Sequence, residues 1–528
     1  MRFKNTLVAA VIAGLASTPA LAAFDINPLA TYRHSESFDE SAAEIVVFDP
    51  QSQRFFVVNA DANTVDVLVL DDESFSLELD DECEIDLTAV NGDDDFELGG
   101  PNSVAVSNGL LAVALEDDDK QAAGRIAVYS TGYPDYPEGC ALSGSYPAGA
   151  LPDMVAFTPD GNYLLSANEG EPNDDYDIDP EGSVTIVELG TPNITQVGFT
   201  EFNGDKADLI AAGVRIFGPD ATVAQDLEPE YIAISADSST AFVGLQENNA
   251  VATIDIASGE VLAINPLGTK NFNTPDNALD YTNKDDRANI VPAPLVGMYQ
   301  PDAIATFQRG RNTFLVTANE GDARDYDGFS EERRVEDLTL DPDLVAAYPG
   351  FLNDDDLGRP KTTTVDGDID NDGEVEVVHL YGARSISIWR ANNDGSLSLV
   401  ADTGSTLERA VADQFPSLFN ATNDEDGLDD RSDDKGPEPE ALSIAEIDNK
   451  LYAFVGLERS SQVAIFDLSN FNKPKLVQLV NNRVNGALGP DLGPESVIYI
   501  DAADSPIGVA LMAVANEVSG TTTVYTVK

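Results

Sequence analysis

The sequence predicts an all-β protein, a seven-bladed β-propeller with loop insertions that cap one face. Two observations support this prediction. A turn, often with proline, is followed by an acidic residue and an alternating apolar strand, and this element recurs seven times. Each copy then continues into a second strand that ends in another acid and a third strand with the same period-2 alternation. Seven units of three or four short strands are typical of a propeller rather than a sandwich.

The seven copies define two recurring positions in each unit. The first position, where the first strand begins, is occupied by Glu44, Asn102, Asp153, Glu230, Asp302, Glu440 and Glu495. The second position, where the second strand ends, is occupied by Asp61, Glu116, Glu169, Glu247, Glu320, Glu458 and Glu517. The last copy stops after its third strand. We therefore expect the segment Pro28 to Arg33, which precedes the first copy, to supply the missing outer strand and close the ring.

Both positions lie on the same face in a propeller, because the innermost strand of a blade starts where the second strand ends. Thirteen of the fourteen positions carry carboxylates, and Asn102 is the exception. Two carboxylates ~6 Å apart repel by about 3 kcal/mol at an effective dielectric constant of 20. Such a ring needs bound cations, raised pKa values or hydrogen-bond donors. If cations are bound, hard oxygen ligands favour Ca²⁺, with Mg²⁺ as the alternative. The competing interpretation is that each acid caps backbone N–H groups of its turn.

Two long insertions are expected to cover this face. One runs from Gly321 to Ala383, between the second and third strands of the fifth blade, and the other from Asn392 to Glu438, between the fifth and sixth blades. The first contains Asp368-Ile369-Asp370-Asn371-Asp372-Gly373, which matches the front half of a calcium loop. Position twelve of that loop would be His379 rather than glutamate, and a tight acidic turn without metal is the alternative.

The sequence therefore predicts two groups of metal ligands. The ring contributes Glu44, Asp61, Asp153, Glu169, Glu230, Glu247, Asp302, Glu320, Glu440, Glu458, Glu495 and Glu517, and the loop contributes Asp368, Asp370 and Asp372.

Five basic residues fall in or beside the same loops. They either form ion pairs that hold the cap in place or, together with bound metal, form an anion pocket for phosphate. Metal held by carboxylates would then support phosphate-ester hydrolysis without a histidine or serine nucleophile. Two histidines, His34 and His379, leave little room for zinc or for histidine-based acyl transfer. The basic residues are Arg324, Arg384, Arg431, Lys435 and Arg459.

The N-terminus predicts export. Arg2 and Lys4, the apolar run from Leu7 to Leu15 and the small residues up to Ala22 fit a signal peptide over residues 1–22, with a retained helix as the alternative. Residues 23–528 would then form a single propeller domain in the periplasm or outside the cell. No apolar run reaches the ~20 residues of a membrane span. In an oxidising compartment, the cysteine pair Cys83 and Cys140 is most simply a disulfide.

The net charge of −65 limits the choice of partners. Nucleic acid and anionic membranes are excluded as default partners, whereas divalent cations are favoured. With 42% apolar residues the chain is not a disordered acidic tail. Adaptation to a salty habitat is the alternative origin of the surface charge. We expect a monomer.

Several longer strings resemble the choice-of-anchor I family of exported bacterial proteins and are similar to the mesenchyme-specific cell surface glycoproteins linked to biomineralisation. The resemblance implies an exported propeller. Some relatives are labelled alkaline phosphatases, which implies a phosphatase as one function. The strings are Ser41 to Val46, Gly149 to Met154, Asn168 to Tyr176, Gly213 to Pro219, Asp226 to Tyr231, Asn319 to Tyr326, Gly382 to Ser385, Arg431 to Glu440 and Ala515 to Thr522.

Two functions remain open at this stage. One is a non-catalytic calcium-binding propeller for adhesion, ion sequestration or contact with a surface or mineral ligand. The other is a calcium-dependent phosphomonoesterase that acts on phosphate-containing small molecules in the capped pocket. An electron-transfer propeller is set aside, because haem motifs are absent and Trp389 is the sole tryptophan.

Overall fold

The computed structural model describes residues 24–35, 37–90, 96–132, 139–423, 427–484 and 489–528. The predicted signal peptide, residues 1–22, lies outside these ranges. In the part of the chain that is described, no helix is long and apolar enough to cross a membrane.

The described residues form seven antiparallel sheets of four or more strands, which we number 1 to 7 in chain order. Within each sheet, the strands are given from the innermost outwards. The first strand of the chain is β1 (Ile26–Arg33). Sheets 1 and 2 comprise β2 (Val46–Asp49), β3 (Arg54–Asn59), β4 (Thr64–Leu70), β5 (Leu77–Leu79) and β6 (Ile85–Asp86), then β7 (Leu98–Ser107), β8 (Leu110–Asp117), β9 (Ala123–Ser130) and β10 (Leu142–Ala150). Sheets 3 and 4 comprise β11 (Pro152–Phe157), β12 (Tyr163–Asn168), β13 (Ser183–Glu188) and β14 (Ile194–Gly198), then β15 (Ile232–Ile234), β16 (Thr240–Leu245), β17 (Ala250–Asp255) and β18 (Glu260–Pro266).

Five short strands belong to the insertions rather than to the seven sheets. They are β19 (Thr269–Asn271), β20 (Val296–Met298), β23 (Glu332–Arg334), β24 (Lys361–Thr363) and β25 (His379–Leu380). Sheet 5 comprises β21 (Ile304–Arg309), β22 (Asn312–Asn319), β26 (Ser385–Ala391) and β27 (Leu397–Asp402). Sheets 6 and 7 comprise β28 (Pro439–Ile447), β29 (Lys450–Leu457), β30 (Gln462–Asp467) and β31 (Lys475–Asn481), then β32 (Pro494–Ile500), β33 (Leu511–Asn516) and β34 (Thr521–Val527).

In the described part of the chain, helices occur only between strands. The α-helices are α1 (Lys206–Ala212), α2 (Val223–Asp226), α3 (Pro342–Ala347) and α4 (Thr406–Gln414). Short 3₁₀ helices cover Leu87–Val90, Thr200–Asp205, Val335–Asp337, Pro349–Leu352 and Pro416–Leu418.

The sheets pack around one axis. The innermost strands β2, β7, β11, β15, β21, β28 and β32 contact one another in this order, and β32 returns to β2. A separate cluster of buried apolar side chains fills each interface between neighbouring sheets. Strands of alternating pattern bury both faces in this way, because each sheet has a neighbour on either side. The prediction of an all-β propeller is confirmed.

The two ends of the chain close the ring. Strand β1 pairs antiparallel with β34 and forms the outer edge of sheet 7, as the sequence predicts for Pro28 to Arg33. The buried His34 ring then contacts Asp66 Oδ2 at 2.6 Å and Thr522 Oγ1 at 2.8 Å. The end of β1 is therefore tied both to sheet 1 and to sheet 7.

The insertions form a cap with a core of its own. Phe272, Leu295, Val335, Phe351 and Leu380 pack together, and β19, β20 and β25 form a small sheet beside them. Residues Gly321 to Ala383 lie between β22 and β26 and contribute Val335, Phe351 and Leu380 to this core. The segment 267–300 joins the same cap and was not expected from the sequence.

The second insertion is shorter than expected. Its first part, Leu397–Asp402, is strand β27, which pairs with β26 as the outer strand of sheet 5. The predicted insertion from Asn392 to Glu438 therefore wrongly included the residues of this fourth strand. The inserted part begins only after Asp402 and contains α4.

Cys83 and Cys140 form a disulfide, as predicted, and it links the loop after β5 to the loop before β10. The bond closes a loop across a sequence separation of 57 residues. It therefore joins the outer edges of sheets 1 and 2 covalently.

Replacing both cysteines by alanine should destabilise the fold. Loop-closure entropy gives the disulfide about 4 kcal/mol for a loop of this length, and measured losses are about 2–5 kcal/mol. Urea denaturation of the double variant should show this loss, and reduced wild-type protein should match it. Equal stability of all three samples would contradict the prediction.

Candidate metal centre in the acidic cavity

A cavity of about 470 Å³ opens at the face where the innermost strands begin and the second strands end. Eleven of its fourteen lining residues are acidic, two are basic and one is a glutamine, and we call it the acidic cavity. Its lining residues are Asp153, Glu169, Glu171, Glu230, Gln246, Glu247, Asp302, Glu320, Asp322, Lys435, Glu440, Glu458, Arg459 and Glu517.

β-Bulges place the first acidic position of several sheets. In sheets 2, 3, 6 and 7 the strand pairing skips a residue directly after a proline, at Asn102, Asp153, Glu440 and Glu495. A bulge leaves that residue out of the ladder and changes the direction of its side chain. The repeated proline–acid pair of the sequence therefore encodes a local backbone feature.

Most of the predicted ring residues do come together. Nine of the twelve line the acidic cavity, and Glu44 and Glu495 lie beside it, close enough for the charge of Glu517 to act on both. The nine are Asp153, Glu169, Glu230, Glu247, Asp302, Glu320, Glu440, Glu458 and Glu517.

Asp61 does not join them. It is exposed and lies outside the cavity lining. Strands β3 and β4 end their pairing at Asn59, as β12 and β13 do at Asn168. Because Glu169 directly follows Asn168, the equivalent residue in sheet 1 is Ala60, and the predicted position was one residue too late.

Three basic residues neutralise one side of the cavity. Lys435 Nζ lies 2.6 Å from Glu320 Oε1, and Arg459 Nε lies 3.0 Å from both Glu458 Oε2 and Glu438 Oε2. Arg431 contacts Glu438 Oε1 at 2.8 Å. Burial acts to raise the pKa of Glu438, but Lys435, Arg431 and Arg459 outweigh it and lower that pKa to about 2.

Sequence reasoning did not single out Glu438. A signal was present, because Glu438-Pro439-Glu440 repeats the string Glu228-Pro229-Glu230. In both strings the glutamate before the proline binds arginine, whereas the one after it is at the acidic cavity.

Arg324 and Arg384 are not placed to bind an anion. Arg324 is 1% exposed, and its guanidinium binds Asp226 Oδ1 and Glu228 Oε2 at 2.9 and 2.6 Å. Arg384 is 2% exposed and donates to Glu408 and to the carbonyl oxygens of three further residues. For these two residues the ion-pair interpretation is correct, because the cap loops bury them completely.

Arg431, Lys435 and Arg459 share a second, smaller cavity. It measures about 180 Å³ and is also lined by Lys361, Asp434, Asp322, Glu332, Tyr381 and Ala323. Asp322, Lys435 and Arg459 line both cavities, so the two adjoin. Three of the five basic residues singled out from the sequence thus lie beside the acidic cavity.

Among the described residues, three sets of three carboxylates could each surround one ion, and two of them lie at the acidic cavity; the third, Asp280, Asp285 and Asp429, lies outside its lining. Asp302, Glu320 and Glu440 form one set, in which each offers an oxygen within 4.8 Å of the other two. Glu320, Glu438 and Glu458 form the second, which already carries the three basic side chains. Oxygens that coordinate Ca²⁺ at about 2.4 Å lie at most about 4.8 Å apart, so the spacing fits.

Several buried carboxylate oxygens of this region have no hydrogen-bond partner among the described residues. They are Glu44 Oε2, Glu228 Oε1, Glu230 Oε1, Glu247 Oε2 and Glu440 Oε2. A buried polar atom without a partner costs free energy, which either a bound cation or a proton on the carboxyl group would reduce.

The Asp368–Gly373 loop forms another acidic group. Asp368, Asp370, Asp372 and Glu376 offer oxygens within 4.8 Å of one another, while Asp368 accepts hydrogen bonds from the backbone N–H groups of Asp372 and Gly373. His379, which is position twelve by count, lies in β25 with Nδ1 2.9 Å from Val377 O, and Glu376 lies beside the aspartates instead.

Comparison with known proteins identifies the family. Residues 44–471 match the family described as Choice-of-anchor I domain.

The chain belongs to the choice-of-anchor I family.

Two relatives of this choice-of-anchor I protein have curated names. Gigasin-3a of Magallana gigas is 29% identical over 196 residues, which cover 34% of this chain and 68% of that protein. The mesenchyme-specific cell surface glycoprotein of Strongylocentrotus purpuratus is 25% identical over 291 residues, which cover 48% of this chain and 36% of that protein. The chain thus spans about a third of the length of the glycoprotein.

Solved structures with a similar course of the chain are more distant. Hydrazine synthase of Kuenenia stuttgartiensis is 14% identical with a TM-score of 0.47, covering 93% of this chain and 97% of that chain. The Cps50 (Swd1) β-propeller domain of Myceliophteria thermophila is 9% identical with a TM-score of 0.43, covering 94% and 100%.

Several carboxyl groups at the acidic cavity of this choice-of-anchor I protein have raised pKa values. Burial and the charge of Glu517 raise the pKa of Glu44 to about 8, and burial with the charges of Glu171 and Glu116 raises that of Asp153 to about 7. Burial and the charge of Glu438 raise the pKa of Glu458 to about 8. Without a bound cation, protons therefore stay on part of the ring at neutral pH.

The stability of calcium-free protein should fall as the pH rises from 5 to 9. In the unfolded chain these carboxyl groups titrate near their ordinary pKa values, so over this pH range the folded chain holds more protons. Each group therefore lowers the free energy of unfolding by up to about 1.4 kcal/mol per pH unit, until that group has ionised in the folded protein. Melting temperatures measured in chelator should show the decline. Glu44→Gln should make it shallower, exposed Glu260→Gln should not, and stability that rises over this range would contradict the prediction.

Proposed function

We propose that this protein is an exported calcium-binding propeller that holds the ion in the acidic cavity and acts as a binding protein rather than a catalyst. The observation that carries the proposal is the set Asp302, Glu320 and Glu440, whose oxygens lie within one coordination sphere of each other in a wall of carboxylates. Cell-surface binding or ion sequestration is the role we assign to it.

The chemistry of the set favours calcium. All candidate ligands are carboxylate oxygens, which suit hard divalent cations and not zinc or copper. Ca²⁺ accepts six to eight oxygens in irregular arrangements, whereas Mg²⁺ demands a near-ideal octahedron. Three carboxylates from two different sheets, with water completing the shell, suit the larger ion.

Export rests on three supports. The N-terminal sequence has the pattern of a signal peptide, and the Cys83–Cys140 disulfide suits an oxidising compartment. Choice-of-anchor domains are associated with cell-surface proteins, and one relative is named a cell surface glycoprotein.

Calcium should stabilise the chelated protein. An ion at 100 times its dissociation constant that binds only the folded chain adds about 2.7 kcal/mol to the free energy of unfolding. Differential scanning fluorimetry should show a melting temperature that rises with calcium, and Asp302→Asn with Glu440→Gln should remove most of that rise. Exposed Glu260→Gln is the control and should respond like wild type.

The acidic loop provides an internal comparison for this experiment. Asp370→Asn with Asp372→Asn removes two of its four carboxylates and leaves the cavity intact. If this pair alone abolished the calcium response, the ion would be in the loop and the cavity proposal would fail. A melting temperature unaffected by calcium in wild-type protein would contradict calcium binding altogether.

The second candidate function is calcium-dependent hydrolysis of phosphate monoesters. The observation in its favour is that Arg431, Lys435 and Arg459 line the small cavity that adjoins the acidic one. A phosphate there could contact both guanidinium groups and an ion in the acidic cavity. Each of these cations also pairs with a carboxylate, which is why we place binding first.

An assay of p-nitrophenyl phosphate hydrolysis distinguishes the two functions. The binding proposal expects no release of p-nitrophenolate at any calcium concentration, although calcium raises the melting temperature. Calcium-dependent turnover that is lost in Arg431→Gln and Arg459→Gln but kept in exposed Arg333→Gln would establish the enzyme instead.

A further inference from the structure

A second group of carboxylates lies in the acidic cavity at sheets 3 and 4. Glu230, just before β15, and Glu247, just after β16, are 8% and 9% exposed and both line the cavity. Glu230 Oε1 and Glu247 Oε2 are buried and accept no hydrogen bond from a donor group, while the two carboxyl groups lie close enough to share a proton between them. A divalent cation that replaced this proton would find two nearly buried carboxylates at the wall of a polar cavity.

No basic side chain of the described residues forms an ion pair with this group. The buried guanidinium of Arg324 is occupied by Asp226 and Glu228, and that of Arg215 donates to the backbone carbonyl of Glu247 rather than to its carboxylate. Lys435, Arg431 and Arg459 pair instead with carboxylates of sheets 5 and 6 and of the loop before β28. The protein thus neutralises one side of the cavity and leaves the other without a cation.

One ion cannot serve both groups. Within the described ranges, no set of three or more carboxylates whose oxygens lie within 4.8 Å of one another contains Glu230 or Glu247. Gln246, which precedes Glu247 in the chain, donates from Nε2 to Glu320 Oε2 at 3.0 Å and so links the second group to the first. An ion at the first group would leave the oxygens of the second unpartnered.

The charge and size of the cavity also exceed the needs of one ion. Eleven acidic and two basic residues surround about 470 Å³, so one divalent cation leaves most of the negative charge unbalanced. The volume accommodates two hydrated ions, since a water molecule takes up about 30 Å³.

We infer that the acidic cavity binds a second divalent cation at sheets 3 and 4, with Glu230 and Glu247 as its ligands and Glu169 next to them. This inference rests on the proposed function, because it assumes that the first ion binds at Asp302, Glu320 and Glu440.

Counting calcium ions per chain tests the inference by difference. The reference protein carries Asp370→Asn and Asp372→Asn, so that the acidic loop no longer binds an ion. Native mass spectrometry then measures how many calcium ions each chain binds. Glu230→Gln with Glu247→Gln should lose one ion relative to the reference protein. Asp302→Asn with Glu440→Gln, the matched pair in the same cavity, should lose a different one, so that all four substitutions together lose two.

The outcomes separate the two proposals. If all four substitutions lose one ion in total, or if the Glu230 and Glu247 pair loses none, the second position does not exist. If all four lose no ion, the proposed function itself fails. A binding isotherm should likewise change from two cavity sites to one in each double variant.

Crystallography of wild-type protein avoids dependence on variants that fold poorly. Crystals grown with calcium should show anomalous density at two positions in the cavity, one beside Glu230 and Glu247. Density only beside Asp302, Glu320 and Glu440 would overturn the second position, while the first would stand.

Discussion

Packing between neighbouring sheets is the constraint on which the rest of the molecule depends. Seven apolar clusters hold the innermost strands around one axis, and the ends of these strands therefore lie close together on one face of the ring. Acidic residues at those ends converge although they are far apart in sequence. The free energy of hydrophobic burial thus opposes, and outweighs, the repulsion among carboxylates.

The molecule relieves this repulsion in unequal ways around the ring. On the side of sheets 5 and 6, the loop before β28 supplies Arg431 and Lys435, and the turn between β29 and β30 supplies Arg459. On the side of sheets 3 and 4, Glu230 and Glu247 form no ion pair with a basic side chain of the described residues. Two of the three cations come from outside the repeat and the third occurs in one turn of the seven, so the ring is nearly symmetric in its acidic positions and asymmetric in charge.

The sequence was sufficient for features that the repeat encodes. Strand order, ring closure by β1 and most cavity residues follow from positions that recur in each unit. Asp61 was misplaced because a difference of one residue at a strand end changes which side chain faces the channel. Local pattern cannot resolve that difference without the pairing of Asn59 and Thr64.

Contacts made by the long loops could not be read in the same way. Arg324 meets Glu228 across 96 residues, and Arg384 meets Glu408 inside a cap whose core includes the unexpected segment 267–300. No periodicity links such residues, so their roles depend on how the insertions pack. Glu376 was missed for a related reason, since the loop continues into β-structure and its spacing departs from the helical calcium loop.

Closure by β1 has a consequence for how the ring forms. This strand precedes sheet 1, whereas its partner β34 belongs to sheet 7, and paired residues such as Thr31 and Thr523 are 492 positions apart. Until these two segments meet, sheet 7 lacks its outer strand. Contacts between residues so distant in sequence form slowly, so completion of the ring is expected to be a late event in folding.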